Sequence, residues 1–531
     1  MKKKTLALVV SIVLAASCLV LPFPVNAAHR AIIVPKDYST IEDAINAASN
    51  GDTVFISRGN YEGFKNQTLV INKTITLVGE AAETTRLHLD PPFVLMNIFT
   101  FFYMGYSDAI RVEAKDVKIL GLTIDAPGGS IAIVANGAAV MRNNITISMN
   151  VNGDGTQIID NTFLGGVSVV GSHNSVAKNT IGGGVETDGS YNLIADNSVS
   201  GERGLYTVDV HDNSSVIFNN SISGGDWPAI HLGYGSRDNL IAKNNLTSGG
   251  MELESYSSFN TVCANNLNGW GLALMGFNNT FYANQLGHVG IGGTHGGTVD
   301  AAYNRFYHNN FIGDSPELSV YTKVPGPLFW DDGKEGNYWS NYKGSGNKVG
   351  TTPYQVYGDY HYFDGAIRED TMVNCGQDNH PLLNLFNVDS VNVALPEWAS
   401  HLVIEISPPR IAILLLENQT YNQCSVPLGF SLNKPVLWMG YSLDGQENVT
   451  VAGNTTLAGL ANGNHNVTVY AEDEAGNSGA SETLFFSVNV PEPEPSSEIV
   501  PVAAVSLAVA TVAAAGLFLY GRKRKRAPAK L

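Results

Sequence analysis

A ten-residue phrase recurs through the middle of the chain and limits what it can fold into. Residues 192–201 read NLIADNSVSG; NSVAKNTIGG precedes them and SVIFNNSISG follows. Aligned on one asparagine, the phrase falls at Asn143, Asn161, Asn179, Asn197, Asn220, Asn244, Asn265, Asn284 and Asn309, spaced by 18, 18, 18, 23, 24, 21, 19 and 25 residues. Three residues before the anchors stand Val140, Ile158, Val176, Ile194, Ile217, Ile241, Val262, Phe281 and Phe306; two after stand Ile145, Phe163, Ile181, Val199, Ile222, Leu246, Leu267, Leu286 and Phe311. Both columns are apolar throughout. A period near 20 built from short β-prone segments and turns specifies a solenoid. The Leu-x-x-Leu-x-Leu frame of leucine-rich repeats is missing, so the expected fold class is all-β: a parallel β-helix, one coil per period, with coils ~4.8 Å apart. The anchor Asn is expected at a bend, in the left-handed region, its amide bonded to the next Asn in the stack. Variable coil lengths become loops on the outside.

A stack of coils needs capped ends. Residues 38–52, YSTIEDAINAASNGD, predict an N-terminal helix with a capping box from Ser39 to Glu42 and an apolar face of Ile41, Ala44, Ile45 and Ala48. Residues 313–386 break the period, are rich in Trp and Tyr, and read as irregular last coils plus a C-terminal cap. After a linker at 387–407, residues 408–490 carry seven short alternating segments with turns between them, which suggests an immunoglobulin-like sandwich with Trp438 on a central strand. The whole β-helix is placed at 28–386.

The ends of the chain predict export and anchoring. Residues 1–27 combine a basic start, an apolar run and the small-residue exit Val25-Asn26-Ala27, as a secretory signal does. A Pro/Glu spacer at 491–498 precedes residues 499–520, which hold no charge and are long enough to cross a ~30 Å hydrocarbon core. The basic tail at 521–531 sets it in the cytoplasm and everything between on the outside. The same three-part tail suits either a retained anchor or a sorting signal removed by a sortase-like enzyme. Eleven N-x-S/T sequons fit an exported chain, and three scattered cysteines after the signal are no disulfide framework. A formal charge of −17 disfavours a nucleic-acid partner. The membrane is met through the C-terminal helix, and the partner expected outside is a glycan or an envelope component.

The opening IIVPKDYSTIEDAINAASNGDTVFISRGNY, the Asn-anchored coils, and GNYWSNYKG with TTPY and DNHPLL resemble the NosD-like right-handed β-helix proteins, also described as carbohydrate-binding and sugar-hydrolase (CASH) domains. The resemblance covers roughly residues 30–386 and implies a right-handed parallel β-helix and a surface protein with a sugar-related role. Two features depart from it. The stretch GSGNKVG, where relatives often carry an Asp-rich turn, has no carboxylate for a hard cation. The NosD name implies copper handling, but the twelve His and nine Met are scattered.

The return strands align as GVSVVGSHN, GVETDGSYN, AIHLGYGSRDN, GMELESYSSFN and GLALMGFNN, with GLYTVDVHDNS between the second and third. Positions flanked by inward apolar residues should face out. The third position gives Glu186, His231 and Glu252 in one column and the fifth gives Asp188 and Glu254, and the phrase between adds Asp209, His211 and Asp212, so a patch runs along adjacent coils on one face. These carboxylates and imidazoles suit acid–base work on a glycoside, glycan binding, or a divalent cation bridging to an acidic polysaccharide; no motif requires a cofactor. They suit equally a solvated outer face of an acidic protein. Glu186, Asp209, His231 and Glu252 are the catalytic candidates, for a polysaccharide lyase or a glycoside hydrolase. Asp188, His211 and Glu254 are ligand-binding candidates. So are Trp339 and Tyr342 with Trp330 and Tyr338, as a sugar-stacking platform whose alternative, a cap core, is the expected one. Cys263 shares a column with Ala177, Ala195 and Ala242 and is expected to pack.

Overall fold

The two apolar columns wind into the interior of a three-sided coil. The computed structural model describes residues 30–95, 104–201, 208–223, 228–267, 271–292, 301–312, 317–321, 326–360, 372–402, 409–434, 436, 438–473 and 478–491. The expected signal at 1–27, membrane helix at 499–520 and basic tail lie outside them, as does nearly all of the Pro/Glu spacer. Among the described residues no helix is long and apolar enough to cross a membrane.

The chain divides into two units, residues 1–405 and 406–531. In the first, three sheets of 13, 13 and 14 described strands run side by side along about 12 coils of a right-handed-type parallel β-solenoid. Each coil gives one strand to each sheet; in the coil of Asn197 they are Leu193–Ala195, Ser198–Ser200 and Val208–Val210. All residues of both apolar columns are buried. They stack in register, as in Val140–Ile158–Val176–Ile194 on the first sheet and Ile145–Phe163–Ile181–Val199 on the second.

The anchors form one continuous buried amide ladder. Asn197 is typical: its Oδ1 accepts from Asn179 N (2.9 Å) and Asn179 Nδ2 (3.1 Å), and its Nδ2 donates to Val176 O (2.8 Å) and Asn220 Oδ1 (2.9 Å). The ladder passes through all nine anchors and on to Asn337. There it meets Asp378, whose Oδ2 accepts from Asn337 N at 2.7 Å. The backbone differs from expectation in one respect. The left-handed residue is the one before each anchor: Arg142, Asp160, Lys178, Asp196, Asn219, Lys243, Ala264, Ala283 and His308. Asparagine is therefore selected at the anchor by its amide, which satisfies two neighbouring coils, and not by its tolerance of positive φ. A second ladder runs five residues upstream through Asn174, Asn192, Ser215, Asn239, Asn260, Asn279 and Asn304.

Both ends of the stack are closed by apolar side chains. Helix α1 (Ile41–Ala47) buries Ile41, Ala44 and Ile45. Its N-cap is Thr40, whose Oγ1 accepts from Asp43 N at 3.1 Å, so the cap sits one residue beyond the expected Ser39. At the other end the inner columns grow aromatic. Phe281, Phe306 and Trp330 stack at 4.7 Å per step, and Phe311 stacks on Trp339 at 4.1 Å. An antiparallel hairpin, Tyr354–Tyr360 with Met372–Asp378, ends the third sheet.

The expected linker at 387–407 begins as part of this unit. Phe386 stacks on His308 at 4.5 Å and exchanges backbone bonds with the Asn310 amide (2.8 and 2.9 Å). Helix α2 (Glu397–Leu402) then sets Ala399 against Leu193, Ala195 and Val216, with Trp398 edge-on to Tyr191 at 5.6 Å. The outward faces of those first-sheet strands are apolar because this strap covers them.

The second unit is all-β, with a core of Leu416, Val426, Leu428, Phe430, Leu457, Val467, Val469, Phe486 and Val488. Every expected segment holds a strand. Trp438 opens Trp438–Leu443, which pairs with Gly463–Glu472 on one side and Val449–Thr450 on the other.

Two measurements test the ladder. Asn197→Ala deletes four buried side-chain bonds worth about 1 kcal/mol each. It is expected to lower the stability of the solenoid by about 3 to 5 kcal/mol in urea denaturation, against a few tenths for the exposed Thr180→Ala. Asp378 ends the ladder in a buried site, and burial pushes its carboxyl up to about 6 from 3.8. Its stabilising contribution is full below pH 3.8 and is lost as pH rises through about 6. The melting temperature of the wild type relative to Asp378→Asn, followed by circular dichroism, should be highest near about pH 4 and decline by about pH 7.

Candidate functional site

Register on the third sheet decides which outward residues meet. Ser168, Glu186, Asp209, His231, Glu252 and Ala273 are successive rungs of one column. Glu186 is exposed between buried Val185 and Thr187, so the column faces out as the alternation requires. Two residues further, Val170 pairs with Asp188. His211, Gly233, Glu254 and Met275 continue this second column, because the N–H groups of these four bond back to Thr187, Val210, Leu232 and Leu253 at 2.8–2.9 Å. The seven candidates on the return strands thus form a grid two columns wide on four neighbouring coils.

The grid has a centre of its own. His231 faces out yet is only 3% exposed. Its Nε2 lies 3.9 Å from Glu254 Oε2, and the His211 ring meets it edge-on at 6.1 Å. Gly233 makes room for this: a methyl group there would overlap the His211 imidazole. At the edge of the grid, Tyr234 and Tyr256 are 66% and 49% exposed and sit with ring centroids 5.0 Å apart. Tyr234 follows Gly233 directly, and Tyr256 follows Glu254 by two residues, so this aromatic pair borders the second column.

Beneath the grid the second amide ladder is broken. Ser215 stands where the other rungs carry Asn, and Asp212 supplies the missing oxygen: its Oδ2 accepts from Asn192 Nδ2 (2.8 Å) and Ser215 Oγ (2.7 Å). Burial raises the Asp212 acid, opposed by the bonds from Ser215 and Asn192. A fold departs from its own repeat where function or strain requires it, and this departure adjoins His211.

The aromatics fit the expected cap core, and the sugar-stacking platform is the reading that is corrected. Trp339 is 1% exposed, stacked between Phe311 and Tyr354, with Nε1 donating to Asp378 at 3.0 Å. It closes the core and presents no face to a ligand. Tyr342 packs against the same core and donates its hydroxyl to Thr352 O at 2.6 Å. Trp330 is buried too, donating to Cys375 O at 2.7 Å. Their size is spent on ending the inner columns. Cys263 is buried, in register with Ala242 and Tyr282.

Sequence reasoning missed Tyr234 and Tyr256, although LGYGS and LESYS hold them just after the outward positions. They stand at different offsets from their coils' Asn, so no column showed. It also missed a cavity of about 260 Å³ near the N-terminal end of the second sheet, lined by Glu62, Lys65, His88 and Asp90. There His88 Nδ1 lies 3.1 Å from Asp125 Oδ2, and Asp125 is held below the usual carboxylate range chiefly by Arg86. Among the described residues no three His, Cys, Asp or Glu side chains converge as a metal site.

No family model matches the chain. A stretch of 81 residues is 38% identical to halomucin of Haloquadratum walsbyi, covering 14% of this chain and 1% of that protein's length. Among solved structures, the chain is similar to a PL6 alginate lyase in complex with a trisaccharide (TM-score 0.37, 14% identity, 55% of this chain and 80% of that one). It is also similar to the PL6 family alginate lyase AlyGC (TM-score 0.39, 14% identity, 73% and 60%). A third is the A-module of the mannuronan C-5 epimerase AlgE4 of Azotobacter vinelandii (TM-score 0.30, 13% identity, 55% and 88%). Scores at this level transfer no activity.

If Gly233 is what seats His211, Gly233→Ala should move the His211 ring resonances in a histidine NMR spectrum while the far-ultraviolet circular dichroism stays that of the wild type. Unmoved resonances would place the ring elsewhere.

Proposed function

We propose that the third sheet of the solenoid is a carbohydrate-binding face, carried by an exported cell-surface protein of the NosD-like or CASH type. The observation behind this reading is the in-register grid of Glu186, Asp188, Asp209, His211, His231, Glu252 and Glu254 beside the exposed Tyr234–Tyr256 pair. Carboxylates and imidazoles accept and donate bonds to sugar hydroxyls, and flat aromatic faces pack on pyranose rings. In this reading residues 1–27 direct export and the second unit is an immunoglobulin-like stalk. Residues 499–520 hold the protein in the membrane, with glycan or envelope material as the partner outside.

A second reading gives the same face a reaction, as a polysaccharide lyase or glycoside hydrolase. The pairing of His231 with Glu254 and His211 favours it, since general acid–base work needs titratable groups within reach of one bond. The copper-accessory reading gains no support from the described residues, where no three His, Cys, Asp or Glu side chains converge.

A glycan array probed with the full chain, beside Glu186→Ala/Glu252→Ala, tests the binding reading. Selective binding that the double substitution abolishes is the expected result. Binding that survives it would move the site off this face, and binding to nothing would leave the grid a solvated surface. Turnover of a bound glycan, lost in His231→Ala with binding retained, would favour the enzyme.

A further inference from the structure

Resting on the carbohydrate reading of the grid, we infer that its ligand is a polymer of amino sugars with free ammonium groups, and not a uronic acid polymer. Charge is the first argument. From Asn150 to Ser319 the first column reads Asn, Ser, Glu, Asp, His, Glu, Ala, Gly, Ser; no rung is Lys or Arg. The second column adds Asp188 and Glu254. Five acids therefore occupy the grid. Coils are ~4.8 Å apart, so an acid has others within one Debye length, ~8 Å in physiological salt. A polyanion laid along this face meets acids on three of the four coils of the grid and is repelled, and a polycation is attracted. The basic side chain nearest to the second column in sequence, Arg237, is bonded to Asp238 at 3.0 Å and lies over the Phe259 ring, so it does not offset the acids.

Shape is the second argument. Acids stand on three of the four neighbouring coils of the grid, and one pyranose unit of a 1,4-linked chain advances by nearly one coil spacing. A chain lying along the axis brings successive units past the rungs of Glu186, Asp209, His231 and Glu252 in turn. The Tyr234–Tyr256 pair at the border presents two exposed ring faces. Those faces take the apolar side of a pyranose, and they also attract an ammonium group. A ligand that satisfies carboxylates and aromatic faces together has a sugar ring and a positive charge on the same unit. No divalent cation is needed to bridge it.

The test uses the full-length protein in mild detergent and three oligosaccharides of equal length: glucosamine oligomers, their N-acetylated counterparts, and galacturonate oligomers. Calorimetry or fluorescence should show binding of the glucosamine oligomers, about tenfold weaker binding of the N-acetylated ones, none of the galacturonates, and weakening with added salt. Glu186→Gln/Glu252→Gln should weaken glucosamine binding about three- to tenfold and leave the N-acetylated oligomers unaffected. Tyr234→Ala/Tyr256→Ala should weaken both. Equal or tighter binding of the N-acetylated or galacturonate oligomers, sensitive to the grid substitutions, would overturn the inference and keep the face as a glycan site. Equal binding of an oligolysine of matched charge would overturn it by showing that charge alone is read. Binding of none of the oligosaccharides would overturn the underlying carbohydrate reading as well.

Discussion

Each coil of this solenoid depends on a buried amide finding its partners on the coils above and below. An asparagine side chain has two donors and an acceptor that takes two bonds, and in water it would satisfy all of them. Buried without partners it would cost several kcal/mol. Stacked, the amide of one coil accepts from the backbone and side chain of its neighbour and donates to the next, as Asn179, Asn197 and Asn220 do. The arrangement fixes register as well as satisfying polarity. A coil slipped by one residue would set an outward side chain such as Asp196 or Ser198 against the amides and expose an Asn. The left-handed residue ahead of each anchor turns the chain at that point, and the apolar columns fill what the turn encloses.

The same register that aligns the core aligns the outer face. Nothing about packing requires Glu186, Asp209, His231 and Glu252 to be acids or imidazoles, because their column is outside the core. Packing requires only that they stand over one another. Four neighbouring coils thereby become a surface on which chemistry is repeated at the spacing of the fold. The interior concedes something beneath it: Ser215 and Asp212 replace an asparagine rung next to His211. Elsewhere the described second ladder keeps Asn from Asn174 to Asn304.

The solenoid and the placing of the grid were legible in the sequence because both follow from periodicity. Nine anchors with two apolar columns leave little choice of fold, and alternation along the return strands says which side chains face out. Three things were not legible. The left-handed residue is Arg, Asp, Lys, Asn, Ala or His, a set with no common signature, so the bend was assigned to the Asn that never changes. For Trp339 and Tyr342 the cap core was the expected reading but the platform stayed open, because composition does not distinguish a core end from an exposed platform. Tyr234 and Tyr256 stand one position apart in turns of equal length, so they pair diagonally between adjacent coils, and a pairing of that kind falls in no column of the repeat.

Past the hairpin the chain does not leave the solenoid at its end. It turns at Phe386, bonds to Asn310, and lies back along the first sheet until Ala399 is seated on Leu193, Ala195 and Val216. A pull on the chain beyond that point is therefore felt first in the middle of the stack. The last coils are bypassed, and the strap would have to peel away across its side contacts before any terminal coil could unravel. A solenoid that is otherwise a one-dimensional stack, open to fraying from either end, thus has its C-terminal coils looped inside its own mooring.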